Sequence, residues 1–412
     1  MAAPEPPGES PIIFDLSLLP VPPLAASAVD EPFFVERAQR RDGERRSLGR
    51  ASLLAERLDL ALADLHPLVV TGSKGKGTAA TYAAAGLRAS GRCVGLVTSP
   101  GYRSHRERIR LDGEAISERE LARLAARVAD AIDRLPARVP GGGYVSPTGA
   151  FTIAGLRWLV DRGCDALVVE AGLGGASDES SLTRPSVVAL TEIFEEHLGI
   201  LGDDVIEVAQ DKAGTVCADT RSVLSVPQRP DVGDVIEKAA RHHGAELTIV
   251  GPTDVLVDLP TDLMRANATL GLRAAAAAAA AVGAPTVVPE VRLPGRLSVH
   301  RRDRQTWVLD SAINPKGLRA ALDWCRRSVG EPTAVLLSIP DTKDRDACLS
   351  AMGDVDHQQV RVDASHLTFP AGLPLLADLD TQALGDLVLA MGTISFVGAA
   401  LDLLEVDMTR LF

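Results

Sequence analysis

No two of the five cysteines stand at Cys-x-x-Cys spacing; Cys93, Cys164, Cys217, Cys325 and Cys348 are scattered and odd in number. That argues against a zinc site and against a disulfide framework, and a reducing cytoplasm fits. No apolar run approaches the roughly 20 residues of a membrane span. The first ten residues, MAAPEPPGES, are acidic and proline-rich, unlike a signal peptide. Positive charge is also short: the formal net charge is −12, which argues against a nucleic-acid surface but leaves room for small anions held by local Lys and Arg. Aromatic residues are only 3% of the chain. A G-x-G-x-x-G dinucleotide fingerprint is missing.

Apolar residues are plentiful at 46% of 412, enough for two cores, and single cores rarely grow past about 250–300 residues. The chain is organised around residues 68–78, LVVTGSKGKGT. Leu68, Val69 and Val70 read as a buried strand. Gly72, Ser73, Lys74, Gly75, Lys76, Gly77 and Thr78 break it, residues 79–90 read as an Ala-rich helix, and residues 92–98 as a second strand. Glycines at such a break let the backbone approach a ligand, and phosphate suits a helix N-terminus. Lys76 is placed to reach terminal phosphates and Thr78 to meet them or a metal. The loop is shorter than the usual G-x-x-x-x-G-K-[ST].

In chain order, residues 1–30 are a proline-rich stretch read as extended or partly disordered. Residues 33–50 are dense in Arg and Glu and read as a solvated helix or loop, and residues 52–65 as a helix. Ser99 follows the second strand, on the same rim as Lys76. Residues 103–110, RSHRERIR, are either a solvated loop or an anion-holding one. Residues 117–135 form an amphipathic helix with Ser117 as N-cap and Glu120 three residues on, and residues 148–163 another. Residues 165–170 are a strand ending on Glu170 beside A-G-L-G-G, where a carboxylate can hold Mg²⁺. Residues 186–193 form a strand whose tip leads to His197, and residues 204–213 a helix carrying Lys212. Further strands are expected at 221–225 and 247–251, and an Ala-saturated helix at 265–282 with Asn267 near its start. Pro285, Pro289 and Pro294 mark a linker. Beyond it strands and helices alternate, as a second, smaller α/β unit requires.

These pieces, in this order, resemble the folylpolyglutamate/dihydrofolate synthase family of the Mur ligase superfamily, from about residue 55 onward. The family loop G-T-N-G-K-G-S is similar to residues 72–78. T-S-P-H-L…F-N-E-R-I is similar to residues 98–109, keeping Ser99, Pro100, Glu107, Arg108 and Ile109. E-V-G-L-G-G matches 170–175. T-N-I-x-x-D-H…L-G matches 191–202, with Glu196 for Asp and His197 kept. K-A-G falls at 212–214, P-G-R at 294–296, D-G-A-H-N-P at 310–315, and G-S-x-x-x-V-G at 392–398.

The resemblance implies an α/β fold: a P-loop Mur-ligase-type ATPase domain with a mostly parallel sheet (31–288), a linker (289–296) and a smaller Rossmann-like α/β domain (297–412). It implies a ligase using ATP and Mg²⁺. A carboxylate attacks the γ-phosphate, and an amine then displaces phosphate from the acyl phosphate. By position, Lys76 cradles phosphates, and Ser99, Glu170 and His197 hold Mg²⁺. Lys212 is N-carboxylated, Asn267 lies near the adenine, and Arg296 and Asp310 close over the nucleotide. Tyr102, Arg103, Arg106, Arg108, Tyr144, Asp178, Ile313 and Asn314 are the candidates for the organic substrates, a small-molecule carboxylic acid and an amino acid or amine. A monomer is the family expectation.

The departures lie on the substrate side. The family His after T-S-P is Gly101, and its Phe and Asn become His105 and Arg106. A Phe-Glu pair becomes Thr148 and Gly149, an Arg and an Asn become Ala176 and Ser181, and the His of D-G-A-H-N-P is Ile313. A pterin wants aromatic faces and paired hydrogen bonds, so the reading favoured here is a non-folate acid in a specialised pathway. The alternative is a genuine dihydrofolate or folylpolyglutamate synthase adding glutamate. A phosphotransferase and a catalytically decayed nucleotide-binding protein stand behind these.

Overall fold

The computed structural model describes residues 27–137, 142–279, 289–364 and 366–412. The proline-rich stretch before residue 27, the end of the Ala-rich helix and Pro285 lie outside them.

The first sheet contains β1 (Leu68–Thr71), β2 (Val94–Val97), β3 (Ile109–Leu111), β4 (Glu114–Ala115), β5 (Ala166–Glu170), β6 (Val187–Leu190), β7 (Ser222–Ser225) and β8 (Glu246–Ile249). Their order is β4-β3-β2-β5-β1-β6-β7-β8. The six strands from β2 to β8 run parallel, while β3 and β4 are antiparallel additions at one edge. All four residues of β1 are buried, as continuous apolar runs in covered parallel sheets are. With β5 on one side of β1 and β6 on the other, the chain departs in opposite directions from the strand that bears the glycine loop. That is where open α/β sheets gather ligands.

Helices α1 (Val35–Ala38), α2 (Leu48–Arg57), α3 (Lys76–Ala89), α4 (Glu118–Asp133), α5 (Pro147–Asp161), α6 (Val205–Ala213), α7 (Pro230–His243) and α8 (Asp262–Ala278) flank this sheet. Ser117 caps α4: Glu120 N donates to Ser117 Oγ at 3.3 Å, and Ser117 Oγ in turn donates to Glu120 Oε2 at 2.7 Å. The alanine run has its partner in α3. A Cβ on Gly271 would stand 2.2 Å from Ala79 O, so the two helix backbones meet where neither carries bulk.

The second sheet holds β9 (Arg296–Arg302), β10 (Gln305–Asp310), β11 (Ala334–Ser338), β12 (Gln358–Gln359) and β13 (Leu387–Gly392), in the order β12-β11-β13-β10-β9. Only β9 is antiparallel to its neighbour. Helices α9 (Pro315–Ser328), α10 (Arg345–Met352) and α11 (Ile394–Leu403) pack on it. The chain then returns to the first sheet. Glu114 and Arg410 form an antiparallel bridge, and Ala115 N donates to Thr409 O at 2.8 Å.

Three sequence expectations need correction. The segment 33–50 is not simply solvated: Phe33 is buried and stacks on Phe151 at 3.9 Å. The helix expected at 52–65 is Leu48–Arg57: the Ser47 hydroxyl caps its start by accepting from Arg50 N, and beyond Arg57 only a 3-10 turn, Leu62–Asp64, follows. The basic stretch 103–110 is not a solvated loop. It makes a 3-10 turn (His105–Arg108) and enters β3, burying Arg108 and Arg110. Helix α7 and strand β9 were not foreseen.

Candidate functional site

The glycine loop sits at the carboxyl end of β1. Gly72 has φ +124°, and a Cβ there would stand 2.1 Å from Thr191 Oγ1; Gly75 has φ +85°, and its Cβ would stand 1.9 Å from Asn267 Nδ2. Both positions therefore exclude any side chain. Gly75 is the N-cap of α3 and offers no side-chain cap, which leaves the first amides of the helix open to an anion. Lys76 folds back over this cradle, its Nζ donating to Gly72 O at 3.1 Å and Ser73 O at 3.2 Å.

Glu170 ends β5 beside the loop. It is 6% exposed, and a Cβ on Gly77 would lie 3.5 Å from its Oε2. Ser99 N donates to Glu170 Oε2 at 3.0 Å, which ties the tips of β2 and β5 together. Burial pushes the Glu170 carboxyl above its usual range, while Lys76, Ser99 N–H, Arg296 and Arg108 pull it back. The Ser99 hydroxyl accepts from Arg108 Nη1 at 2.9 Å, and Arg108 Nε reaches His105 Nδ1 at 3.0 Å. Burial lowers the Arg108 guanidinium to about 10.

Lys212 lies under the loop, 1% exposed. Its Nζ donates to Gly72 O at 2.8 Å and to Glu196 Oε1 at 2.9 Å. Burial holds its pKa below the ordinary lysine value, and Lys212 and Lys76 together hold Glu196 low. Burial also holds the His197 imidazole below its ordinary value.

From the second sheet come Arg296 and Asp310. Tyr102, Asp310 and Glu170 raise the Arg296 pKa, and Asp310 Oδ2 accepts from Leu297 N at 2.9 Å. Tyr102 packs against Gly295, whose Cβ would lie 3.0 Å from Tyr102 Cε1. Asn267 is 1% exposed, with neither amide atom hydrogen-bonded.

Thus the structure gathers Lys76, Glu170, Ser99, Lys212, His197, Asn267, Tyr102, Arg296 and Asp310 around one loop. Other candidates go elsewhere. Arg103 pairs with Asp402 at 3.1 Å, and Arg106 Nε donates to Ile116 O at 2.7 Å. Asp178 accepts from Gly172 N and Leu173 N at 3.0 and 3.1 Å, so it braces the A-G-L-G-G turn. Tyr144 is buried beside Arg40 and bridges to Arg46, away from the contacts of Tyr102. Ile313 joins the second core, and Asn314 Oδ1 caps α9 through Gly317 N at 2.9 Å. The sequence reading missed Arg46, which donates to Leu173 O at 3.1 Å from 127 residues upstream. It also missed Lys316 and Lys343, whose charge reaches Lys74 from the second unit. Lys316 stands next to the D-S-A-I-N-P run, which was the available signal.

A nucleotide and a magnesium ion fit these residues. The cradle accepts backbone-bound phosphate, and the unpartnered Asn267 amide offers both a donor and an acceptor. Glu170, tied to Ser99 N, would supply a hard oxygen ligand. Among the described residues no group of three His, Cys, Asp or Glu side chains could hold a metal by itself. Mg²⁺ takes one or two carboxylates and completes its shell with phosphate and water.

No protein-family profile matches the chain. The probable bifunctional folylpolyglutamate synthase/dihydropteroate synthase of Haloferax volcanii is 33% identical over 322 residues, covering 71% of this chain and 36% of that protein. The folylpolyglutamate synthase of Saccharomyces cerevisiae (strain AWRI796) is 25% identical over 323 residues, covering 69% of this chain and 58% of that protein. This chain thus spans about a third to under two thirds of these relatives. Among solved structures, an FPGS–AMPPCP–folate complex superposes with a TM-score of 0.76 at 23% identity, covering 91% of this chain and 99% of that one. Mycobacterium tuberculosis folylpolyglutamate synthase complexed with ADP and AMPPCP gives a TM-score of 0.71 at 21% identity, covering 92% and 99%. The fold is that of these structures, with the same two α/β units. In sequence and in the order of its motifs, the chain is similar to the folylpolyglutamate synthases.

Proposed function

We propose that this chain is an ATP-dependent ligase that joins a carboxylic acid to an amine through an acyl phosphate, releasing ADP and phosphate. The observation that carries the proposal is the open glycine cradle under Lys76, flanked by the Ser99–Glu170 pair and by Arg296 from the second sheet. Phosphoryl transfer needs positioning and charge neutralisation more than covalent help. Mg²⁺ would supply neutralisation of the triphosphate, and Glu170 and Ser99 are the residues to hold it. Lys76 steadies the terminal phosphates, and Asn267 meets the base. Arg296 and Asp310 come from a separate unit, so closing the two units over the nucleotide excludes water from a hydrolysable intermediate. The lowered pKa of Lys212 raises its share of free amine, the form that adds CO₂, which supports N-carboxylation there.

For the organic substrates, the reading supported best is a folate-type acid and glutamate. The relatives are named as folylpolyglutamate synthases, and one superposed structure holds folate together with the nucleotide analogue. The expectation of a non-folate acid rests on the departures at Gly101, His105, Arg106, Thr148, Gly149, Ala176, Ser181 and Ile313 and on the scarcity of aromatic residues. The test is incubation with tetrahydrofolate or dihydropteroate plus glutamate, reading ADP release and product mass. ADP release and a glutamyl amide that both depend on the folate are the expected result. ATP binding with no folate-dependent ADP would remove the folate reading. AMP and pyrophosphate would remove the acyl-phosphate mechanism.

A further inference from the structure

We propose that Cys93 and Cys164 form a redox-active thiol pair, a modification site at the base of the first sheet that hydrogen peroxide closes into an intramolecular disulfide. Their Sγ atoms lie 3.9 Å apart, the only thiol–thiol contact among the described residues. Cys93 directly precedes β2, and Cys164 stands two residues before β5. These strands are parallel neighbours, with Val94 opposite Ala166. The backbone locks their starts together: Asp165 N and Ala166 N donate to Cys93 O at 3.1 and 3.2 Å, and Cys93 N donates to Asp165 Oδ1 at 2.9 Å. That register sets Cys93 opposite Asp165 and Cys164 one residue off, so a strand spacing of about 4.8 Å and one residue's rise of about 3.3 Å put the two Cα atoms about 6 Å apart, inside the separation that a disulfide spans. Closing the remaining gap therefore needs side-chain rotation, with the strands in place.

Access favours this pair over the other cysteines. Cys93 and Cys164 are both half-buried, whereas Cys325 and Cys348 are buried. Cys164 also lines a cavity of about 550 Å³, with Arg92, Asp165 and Leu167 among its walls. Cys217, the third half-buried thiol, contacts Thr220 and Pro185 O and meets no second sulfur.

The chemistry balances with hydrogen peroxide as the named oxidant. Cys93 sulfur attacks the peroxide oxygen and the O–O bond breaks. The leaving oxygen takes the thiol proton and departs as water, and Cys93 becomes a sulfenic acid. Cys164 sulfur then attacks that sulfur, forming S–S and expelling a second water that carries the Cys164 proton. Two thiols lose two electrons, and the peroxide gains them. Burial and the neighbouring Cys93 sulfur hold the Cys164 thiol above its ordinary range, and the balance is the same whichever sulfur attacks first. The bond would tie residues 71 apart in sequence and so restrict the unfolded chain. It sits at the starts of β2 and β5, whereas Ser99 and Glu170 lie at their far ends. The inference therefore stands independently of the ligase reading.

The test uses the full chain, reduced, treated with stoichiometric hydrogen peroxide, quenched with a maleimide and mapped without reductant. The expected result is loss of two of the five free thiols, a linked peptide pairing Cys93 with Cys164, and a higher Tm that dithiothreitol reverses. Cys93→Ser and Cys164→Ser should each abolish the linked peptide and the Tm rise, and Cys217→Ser should keep both. Five thiols still open to maleimide would overturn the proposal. So would a linked peptide using other cysteines, or a Tm rise that survives Cys93→Ser. The wild-type peptide map decides even if a variant fails to fold.

Discussion

Replacing Lys212 with methionine separates the two things this buried ammonium does. Met keeps most of the side-chain volume and removes the charge. Lost are the bonds to Gly72 O and Glu196 Oε1, and hydrogen bonds to charged groups contribute about 1.5–3 kcal/mol each. Neither partner is stranded, however. Gly72 O still accepts from Lys76, and the Glu196 side chain is 19% exposed and can take water. Relief from burying an ammonium offsets more. The net loss of stability is therefore about 1–2 kcal/mol, below the roughly 3–5 kcal/mol of a pair whose abandoned member has nothing else. Lys212→Ala also empties the volume of the three side-chain atoms that Met would keep (Cγ, Sδ and Cε), adding about 2 kcal/mol at roughly 0.8 kcal/mol per methylene. Because burial lowers the folded pKa, the unfolded chain binds this proton more tightly. Wild-type stability should thus rise with pH toward the unfolded value near about 10.4, and the Met variant should lack that slope. Urea melts between neutral and alkaline pH, with ADP and amide product assayed alongside, check this. Amide formation should vanish in both variants, and ATP affinity should weaken because the Gly72 contact is gone. Equal stability loss in Met and Ala, or full activity in Met, would refute the reasoning.

Gly75→Ala places a Cβ into Asn267 at φ +85°. A left-handed L-residue alone costs about 1–2 kcal/mol, so calorimetry should show ATP affinity down at least about tenfold. Glu170→Gln keeps an acceptor for Ser99 N but removes a buried charge. Stability should hold or rise, while ADP release falls by about a hundredfold or more. Because burial raises the Glu170 pKa, its contribution to wild-type stability falls as pH climbs from about 4.3 to the raised value, a decline the Gln variant should lack. Arg110→Met strips donors from Glu107 O, Gly113 O, Met408 O and Thr409 O in a side chain 1% exposed. A loss of about 3 kcal/mol or more is expected, with faster hydrogen exchange at residues 408–411.

The glycine loop was legible because its chemistry is local. A strand, a glycine break and a helix follow one another without gap, and backbone sterics alone demand glycine at 72 and 75. Ser117 and Glu120 announced their helix for the same reason, since an N-cap is written within four residues. What stayed hidden depends on contacts distant in sequence. Arg110 looks like one more surface arginine until the returning chain at 408–409 covers it. Arg46 acquires its role only when the A-G-L-G-G turn folds against it. The basic run 103–110 misled because clustered charge normally stays in water. Here Arg108 is buried over Phe151, with Ser99 and His105 as partners. The alanine run is legible as a helix, but its packing partner, α3, is set by contacts distant in sequence.

Titration calorimetry of the full chain with ATP, with and without magnesium, tests the central claim most directly. Saturable binding that strengthens with Mg²⁺ and collapses in Lys76→Ala is what the glycine cradle and the Glu170–Ser99 pair require. Absence of any heat with ATP at saturating magnesium, in protein shown to be folded, would contradict the account.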